Sequence, residues 1–79
     1  MIKVCVIGLG YVGLPILLRL STKYNCIGFD NNTKRIKDLK KGKDIFKKFQ
    51  KKDLKKKSVQ FSNLIEDVMN SNIYIVTVP

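Results

Sequence analysis

Residues 2–15 read Ile-Lys-Val-Cys-Val-Ile-Gly-Leu-Gly-Tyr-Val-Gly-Leu-Pro, and this stretch decides the fold. Ile2 to Ile7 is apolar except for Lys3 and rich in β-branched residues. So short a run, ending on glycine, reads as a buried parallel strand. Three glycines follow in the spacing Gly8-x-Gly10-x-x-Gly13. From about Tyr11 to Lys23 the period becomes helical, with Val12, Ile16 and Leu20 at four-residue intervals and Leu17 beside them. Pro15 falls in the first turn, where a missing N–H costs little. A glycine spacing alone is weak evidence. Placed between a strand and a helix it reads as a phosphate-binding loop rather than a ligand-free turn.

The three glycines have different tasks. Gly8 permits the tight turn out of the strand, Gly10 leaves room for a pyrophosphate to approach the backbone, and Gly13 lets the helix pack closely on the sheet. The pyrophosphate would meet free N–H groups and the positive end of the helix dipole. Cys26 to Asp30 is a second strand, and Asp30 closes it 22 residues after Gly8. A carboxylate there accepts hydrogen bonds from adenosine ribose hydroxyls and repels a 2′-phosphate, which favours NAD over NADP. The plainer alternative for Asp30 is a solvated loop acid. Arg35 is the competing signal, because an arginine nearby can accommodate a 2′-phosphate.

Working outward, Asn32 or Thr33 caps a second helix to about Lys41, with Ile36 and Leu39 inward and Gly42 as its stop. Phe46, Phe49 and Leu54 suggest an amphipathic turn or two between Lys43 and Lys57. Val59 to Phe61 is a third strand. Ser62 or Asn63 caps a short helix through about Met69, with Leu64, Ile65 and Val68 as its apolar side. Asn72 to Val78 is a fourth strand. Strands alternating with helices imply an α/β class, here a partial Rossmann fold. The expected parallel sheet has about four strands in the order 3-2-1-4, with helices on both faces and right-handed crossovers. Residues 1–79 make one domain with no internal repeat, the N-terminal part of a dinucleotide-binding domain.

The net charge is +10, and all of it lies between Lys34 and Lys57, where 12 Lys and 1 Arg face Asp38, Asp44 and Asp53. A basic patch can bind nucleic acid or an acidic surface. This one is almost all lysine, which lacks the bidentate grip of arginine on bases. It reads as a solvated face, with no specific nucleic-acid partner and only salt-sensitive polyanion binding. Cys5 and Cys26 have neither disulfide-framework nor metal-ligand spacing and read as small buried hydrophobes, which suits a reducing cytoplasm. The apolar N-terminal run is broken by glycines and Pro15, lacks a cleavage site and is too short to span a bilayer, so no membrane partner is expected.

Ile7 to Pro15 resembles the N-terminal signature of the nucleotide-sugar dehydrogenases, the UDP-glucose and GDP-mannose dehydrogenase family. Tyr11-Val12 and Leu14-Pro15 are more specific than the glycines. Gly28-Phe29-Asp30, Arg35-Ile36, Leu39, Gly42 and Ile75-Val76-Thr77-Val78-Pro79 fit the same pattern, and the ending is most similar to the branch acting on UDP-N-acetylhexosamines. The resemblance implies NAD-dependent oxidation of a sugar C6 alcohol to a carboxylate in two hydride transfers, supplying polysaccharide precursors. It also implies a nucleotide sugar as the partner of a full-length homo-oligomeric enzyme. By position, Gly8, Gly10, Tyr11, Val12 and Gly13 would wrap the pyrophosphate. Asp30 would hold the adenosine ribose, Arg35 would lie near the adenine end, and Val78 and Pro79 would line the cleft.

The family's nucleophilic cysteine and catalytic lysine belong beyond residue 79, and neither Cys5 nor Cys26 matches that cysteine. The expectation is therefore a truncated piece with no catalytic residue and no substrate domain. Its fourth strand would have an open, aggregation-prone edge. The alternatives are another Rossmann oxidoreductase of the 3-hydroxyacid dehydrogenase type, a non-catalytic nucleotide-binding module, or a basic interaction protein using the fold as scaffold. NAD affinity separates module from scaffold, and the coding sequence past codon 79 separates an enzyme from either.

Overall fold

Strand alternation sorts the first strand's side chains onto two faces of a sheet, and the two faces are covered differently. The computed structural model describes residues 1–77. The strands are β1 (Lys3–Ile7), β2 (Asn25–Phe29), β3 (Val59–Ser62) and β4 (Ile73–Val76), all parallel and ordered β3-β2-β1-β4. This is the expected 3-2-1-4 order. The described residues also form three helices, α1 (Gly13–Leu20), α2 (Thr33–Lys40) and α3 (Lys51–Leu54), and one 3-10 turn (Ile65–Asp67).

The first face carries the main core. Val4 and Val6 of β1, Cys26 of β2, and Val59 and Phe61 of β3 pack against Leu14, Leu17 and Leu18 of α1, Ile36 and Leu39 of α2, and Leu54 of α3. Burying each such side chain is worth about 1.5–3 kcal/mol, so this cluster is the main source of stability. α1 starts at Gly13 rather than Tyr11, because Tyr11 and Val12 lie 66% and 62% exposed and have no core face to bury. α2 begins as expected: the Asn32 side-chain oxygen accepts the Arg35 N–H at 3.0 Å. It ends on Gly42 at φ +82°, with the Gly42 N–H donating to the Leu39 carbonyl and the Lys43 N–H to the Asp38 carbonyl. Those two bonds form the Schellman closure that a left-handed glycine permits.

The second face is thinner. Cys5, Ile27 and Val68 form its buried cluster, with Ile7 and Phe29 packed against them. The helix expected from Ser62 to Met69 is reduced to a single 3-10 turn, and Leu64, Ile65 and Met69 are exposed. Geometry explains the difference. Ten residues must carry the chain from the end of β3 past β2 and β1 to the start of β4. That is a diagonal of about 20 Å from strand spacing and rise, whereas a seven-residue α-helix advances only about 11 Å. Ser62 starts the turn by accepting the Leu64 N–H and donating to the Asp67 carboxylate. Among the described residues β4 pairs with β1 alone, leaving an exposed edge of Ile73, Tyr74 and Val76.

Candidate dinucleotide-binding site

The chain runs β1, β2, β3 to one side of the sheet and then returns to place β4 on the other side of β1. Open α/β sheets bind ligands at the carboxyl ends of the strands where the order reverses. There the Gly8 N–H donates to the Phe29 carbonyl at 2.8 Å, and the Thr77 N–H donates to the Ile7 carbonyl at 2.8 Å. Between these strand ends opens a cleft of about 780 Å³, lined by Ile7, Gly8, Gly10, Tyr11, Val12, Phe29, Asp30, Asn31, Val76 and Thr77. A hollow of about 550 Å³ beside β3 shares none of these residues.

The loop from Gly8 to Gly13 is held from both sides. Gly8 turns at φ +97°, a conformation with little steric cost only for glycine. Leu9, fully buried, drives its side chain into the core against Gly28, whose absent Cβ would lie 2.8–2.9 Å from the Leu9 δ-carbons. The Leu9 N–H donates to Asp30 Oδ2 at 2.9 Å, and the Leu9 carbonyl accepts from Arg35 Nε at 2.8 Å. Gly10 has nothing within 4 Å of a built Cβ, so open space lies over its backbone. At Gly13 a Cβ would fall 1.7 Å from the Gly8 carbonyl oxygen, so only glycine lets α1 sit this close to β1. Among the described residues, no acceptor takes the N–H of Tyr11, Val12 or Gly13. The first turn of α1 holds no acid, and no side chain caps it. Free N–H donors beside the positive end of a helix dipole are the arrangement that favours a bound anion.

Asp30 stands just past β2. Its Oδ1 accepts the Asn32 N–H at 2.9 Å and its Oδ2 is taken by Leu9. A carboxylate offers about four lone-pair positions, so both oxygens can still accept ribose hydroxyls. Arg35, expected near the adenine end, is not among the residues that line the cleft. Its guanidinium is buried beneath the loop, where Nε holds the Leu9 carbonyl and Nη1 bonds Asp44 Oδ1 at 3.0 Å. Arg35 is buried under Leu9 and paired with Asp44, while its Nη2 has no partner among the described residues, and Asp30 rather than Arg35 lines the cleft. Val78 and Pro79 lie outside the described residues.

Sequence reasoning missed Thr77, whose Oγ1 donates to the Gly8 carbonyl at 2.7 Å and ties β4 to the loop. It also missed Asp44. Burial works against the Asp44 charge, but the Arg35 hydrogen bond, the Phe46 and Lys48 N–H groups and the Arg35 charge together hold its carboxyl below the usual range. Asp44 sits in a run of lysines without a helical or strand period, so only the fold could pair it with Arg35. Cys5 and Cys26 are buried, and burial pushes both thiols up, away from the thiolate a nucleophile needs. Among the described residues no cluster of His, Cys, Asp or Glu could hold a metal, and no helix is long and apolar enough to cross a membrane.

A sequence profile of the UDP-glucose/GDP-mannose dehydrogenase family, NAD binding domain, matches residues 2–79. The chain is 39% identical over 79 residues to a UDP-N-acetyl-D-glucosamine 6-dehydrogenase of Salmonella typhi, covering 99% of this chain and 19% of that protein. To a UDP-N-acetyl-D-mannosamine dehydrogenase of Methanococcus aeolicus it is 34% identical over 80 residues, covering 98% and 18%. A solved structure of a UDP-D-ManNAc dehydrogenase from Pyrococcus horikoshii superposes with a TM-score of 0.87 at 28% identity, over 98% of this chain and 20% of that one. The chain thus spans about a fifth of the length of the relatives it matches.

Proposed function

The chain belongs to the UDP-glucose/GDP-mannose dehydrogenase family, and from that premise we propose that its cleft holds NAD for the oxidation of a UDP-N-acetylhexosamine. The observation that carries this reading is the convergence of free loop N–H groups, an open Gly10 backbone and the Asp30 carboxylate at the β1/β4 reversal.

The cleft fits the cofactor. Gly8, Gly10, Tyr11, Val12 and Gly13 surround the place for a pyrophosphate, with the donors of Tyr11, Val12 and Gly13 taken by no acceptor among the described residues. Asp30 orients the adenosine ribose and disfavours a 2′-phosphate by charge. Ile7, Phe29 and Val76 give the cleft an apolar wall. NAD supplies the hydride acceptor when bound. The chain's own part is positioning: it fixes the dinucleotide at one end so that the other reaches a sugar site. Cys5 and Cys26 are buried in the sheet and take no part in the chemistry, which we assign to residues outside these 79. The reaction turns the sugar C6 alcohol into a carboxylate, a step suited to polysaccharide precursor synthesis in the cytoplasm by a homo-oligomeric enzyme. The UDP-N-acetylhexosamine dehydrogenases among its relatives support the substrate class.

Calorimetric titration tests the cofactor reading. NAD should bind and NADP should bind more weakly. Asp30→Ala should weaken NAD by about tenfold, in line with loss of hydrogen bonds to a charged acceptor. Unchanged NAD affinity in that variant would refute the assignment of Asp30. Turnover of a UDP-N-acetylhexosamine by the product of the complete coding sequence, read as NADH formation, tests the reaction.

A further inference from the structure

All twelve lysines between Lys34 and Lys57 are exposed, as a solvated face predicts, but two have a partner: Lys34 pairs with Asp38 along α2, and Lys48 lies against the glycine loop. The buried Asp44 carboxylate accepts the Phe46 N–H at 3.2 Å and the Lys48 N–H at 3.1 Å while paired with Arg35. The turn so formed holds Lys47 at φ +54°, the left-handed conformation that bulky residues avoid. It also sets Phe46 in a stack. The Phe46 ring lies 5.2 Å from the Arg35 guanidinium carbon and 5.2 Å from the Tyr11 ring, at 21° to it. Lys48 Nζ lies over the Tyr11 ring, 4.9 Å from its centroid. The stack therefore runs from the arginine under the loop to an ammonium at its outer side.

Tyr11 lines the cleft, and it stands between Gly10 and the first residues of α1. None of the residues lining the cleft is a lysine or arginine, and Asp30 there is an acid. The basic residue of α1, Arg19, lies at its far end. A dinucleotide pyrophosphate brings two negative charges into this cleft. The loop N–H groups and helix dipole answer part of that charge. We propose that Lys48, carried to the loop by the Tyr11–Phe46–Arg35 stack, is the side-chain cation that complements the pyrophosphate. The proposal rests on the NAD reading above and deepens it: one lysine of the basic segment serves the cofactor site.

The test is calorimetry of NAD and of adenosine, which lacks phosphate, with the wild-type chain, Lys48→Met, Lys48→Glu and Asp30→Ala at low and high salt. Lys48→Met keeps the aliphatic stem at an exposed position, and near-UV circular dichroism checks its fold. At low salt it should weaken NAD about three- to fivefold, the scale of one exposed ion pair, and Lys48→Glu should weaken it further. Both losses should shrink at high salt, where exposed charges are screened, and adenosine affinity should stay at the wild-type value. Asp30→Ala should instead weaken NAD and adenosine alike. An unchanged NAD affinity in Lys48→Met at low salt overturns the proposal. So does an equal loss for NAD and adenosine, or a loss that salt does not move, since those mark a structural role. Failure of the wild-type chain to bind NAD overturns the cofactor reading and this proposal together.

Discussion

Replacing Gly13 with alanine should unfold this protein far more readily than the same change at Gly10, although both glycines belong to one motif. A Cβ at Gly13 would lie 1.7 Å from the Gly8 carbonyl oxygen and 2.5 Å from Thr77 Oγ1. Real Cβ contacts essentially never fall below 3.0 Å, so α1 and β1 must separate by about 1.3 Å. That movement loosens Leu14, Leu17 and Leu18 in the core and strains the Thr77 bond to Gly8. Overpacking against backbone costs up to about 3 kcal/mol, and the lost hydrogen bond about 1 kcal/mol. Alanine's better helix propensity returns about 1 kcal/mol. The net loss is about 3 kcal/mol, against a total stability of about 4–12 kcal/mol for a chain of this length. For a domain of this size that is a melting temperature lower by at least about 12 °C. A Cβ at Gly10 meets nothing within 4 Å, so Gly10→Ala should melt like the wild type yet lose NAD affinity at least about tenfold, because the methyl fills the approach to the pyrophosphate. Urea denaturation followed by far-UV circular dichroism measures the first effect and calorimetry the second. A Gly13→Ala variant within about 0.5 kcal/mol of wild type, the scatter of neutral surface changes, would refute the close-packing argument. A Gly10→Ala variant as unstable as Gly13→Ala would refute the division of labour between the two.

Two further outcomes follow from the same geometry. The Asp44 carboxyl is held below its usual value of 3.8, so the stability it confers is complete above that pH and is lost as pH falls through the lower folded value. Asp44→Asn should abolish that acid-side loss and, by leaving Arg35 buried without its partner, cost about 3 kcal/mol at neutral pH; urea melts of both proteins from neutrality downward would show it, and parallel curves would contradict it. Gly28→Ala would set a Cβ 2.6 Å from a Leu17 δ-carbon and 2.8 Å from one of Leu9. These are ends of flexible side chains, so the stability cost should be about 1–2 kcal/mol, with NAD affinity falling too because Leu9 carries the loop; a stability loss without an affinity loss would separate the loop from the core.

The strands were legible because each is a short apolar run closed by glycine, a polar residue or a turn, and the alternation set the sheet order. Asn32 and Gly42 were legible because caps are local: a side chain or a left-handed residue satisfies the nearest backbone groups. The chain from Ser62 to Met69 was misread because its apolar spacing is helical while the distance to β4 is not. The burial of Arg35 was not legible for a related reason. Its place in the sequence suits the adenine end, but Asp44, nine residues on, draws it beneath the loop. The sequence assigns Leu9 no role between the glycines, and only the absent side chain of Gly28, far along the chain, shows the hole that it fills.

Leu9 gives the site its readiness. Its peptide group is gripped at both poles, by Asp30 at the N–H and by Arg35 at the carbonyl, while its side chain is sealed into the core. The loop has thus lost its conformational freedom when the domain folds, before any ligand arrives. Ordering a flexible segment ordinarily subtracts from affinity, and preorganisation removes that cost. The entropy of binding at this loop should therefore come from released water and the ligand's own motions. The sheet interior, through one leucine, governs how tightly an anion is held at the surface.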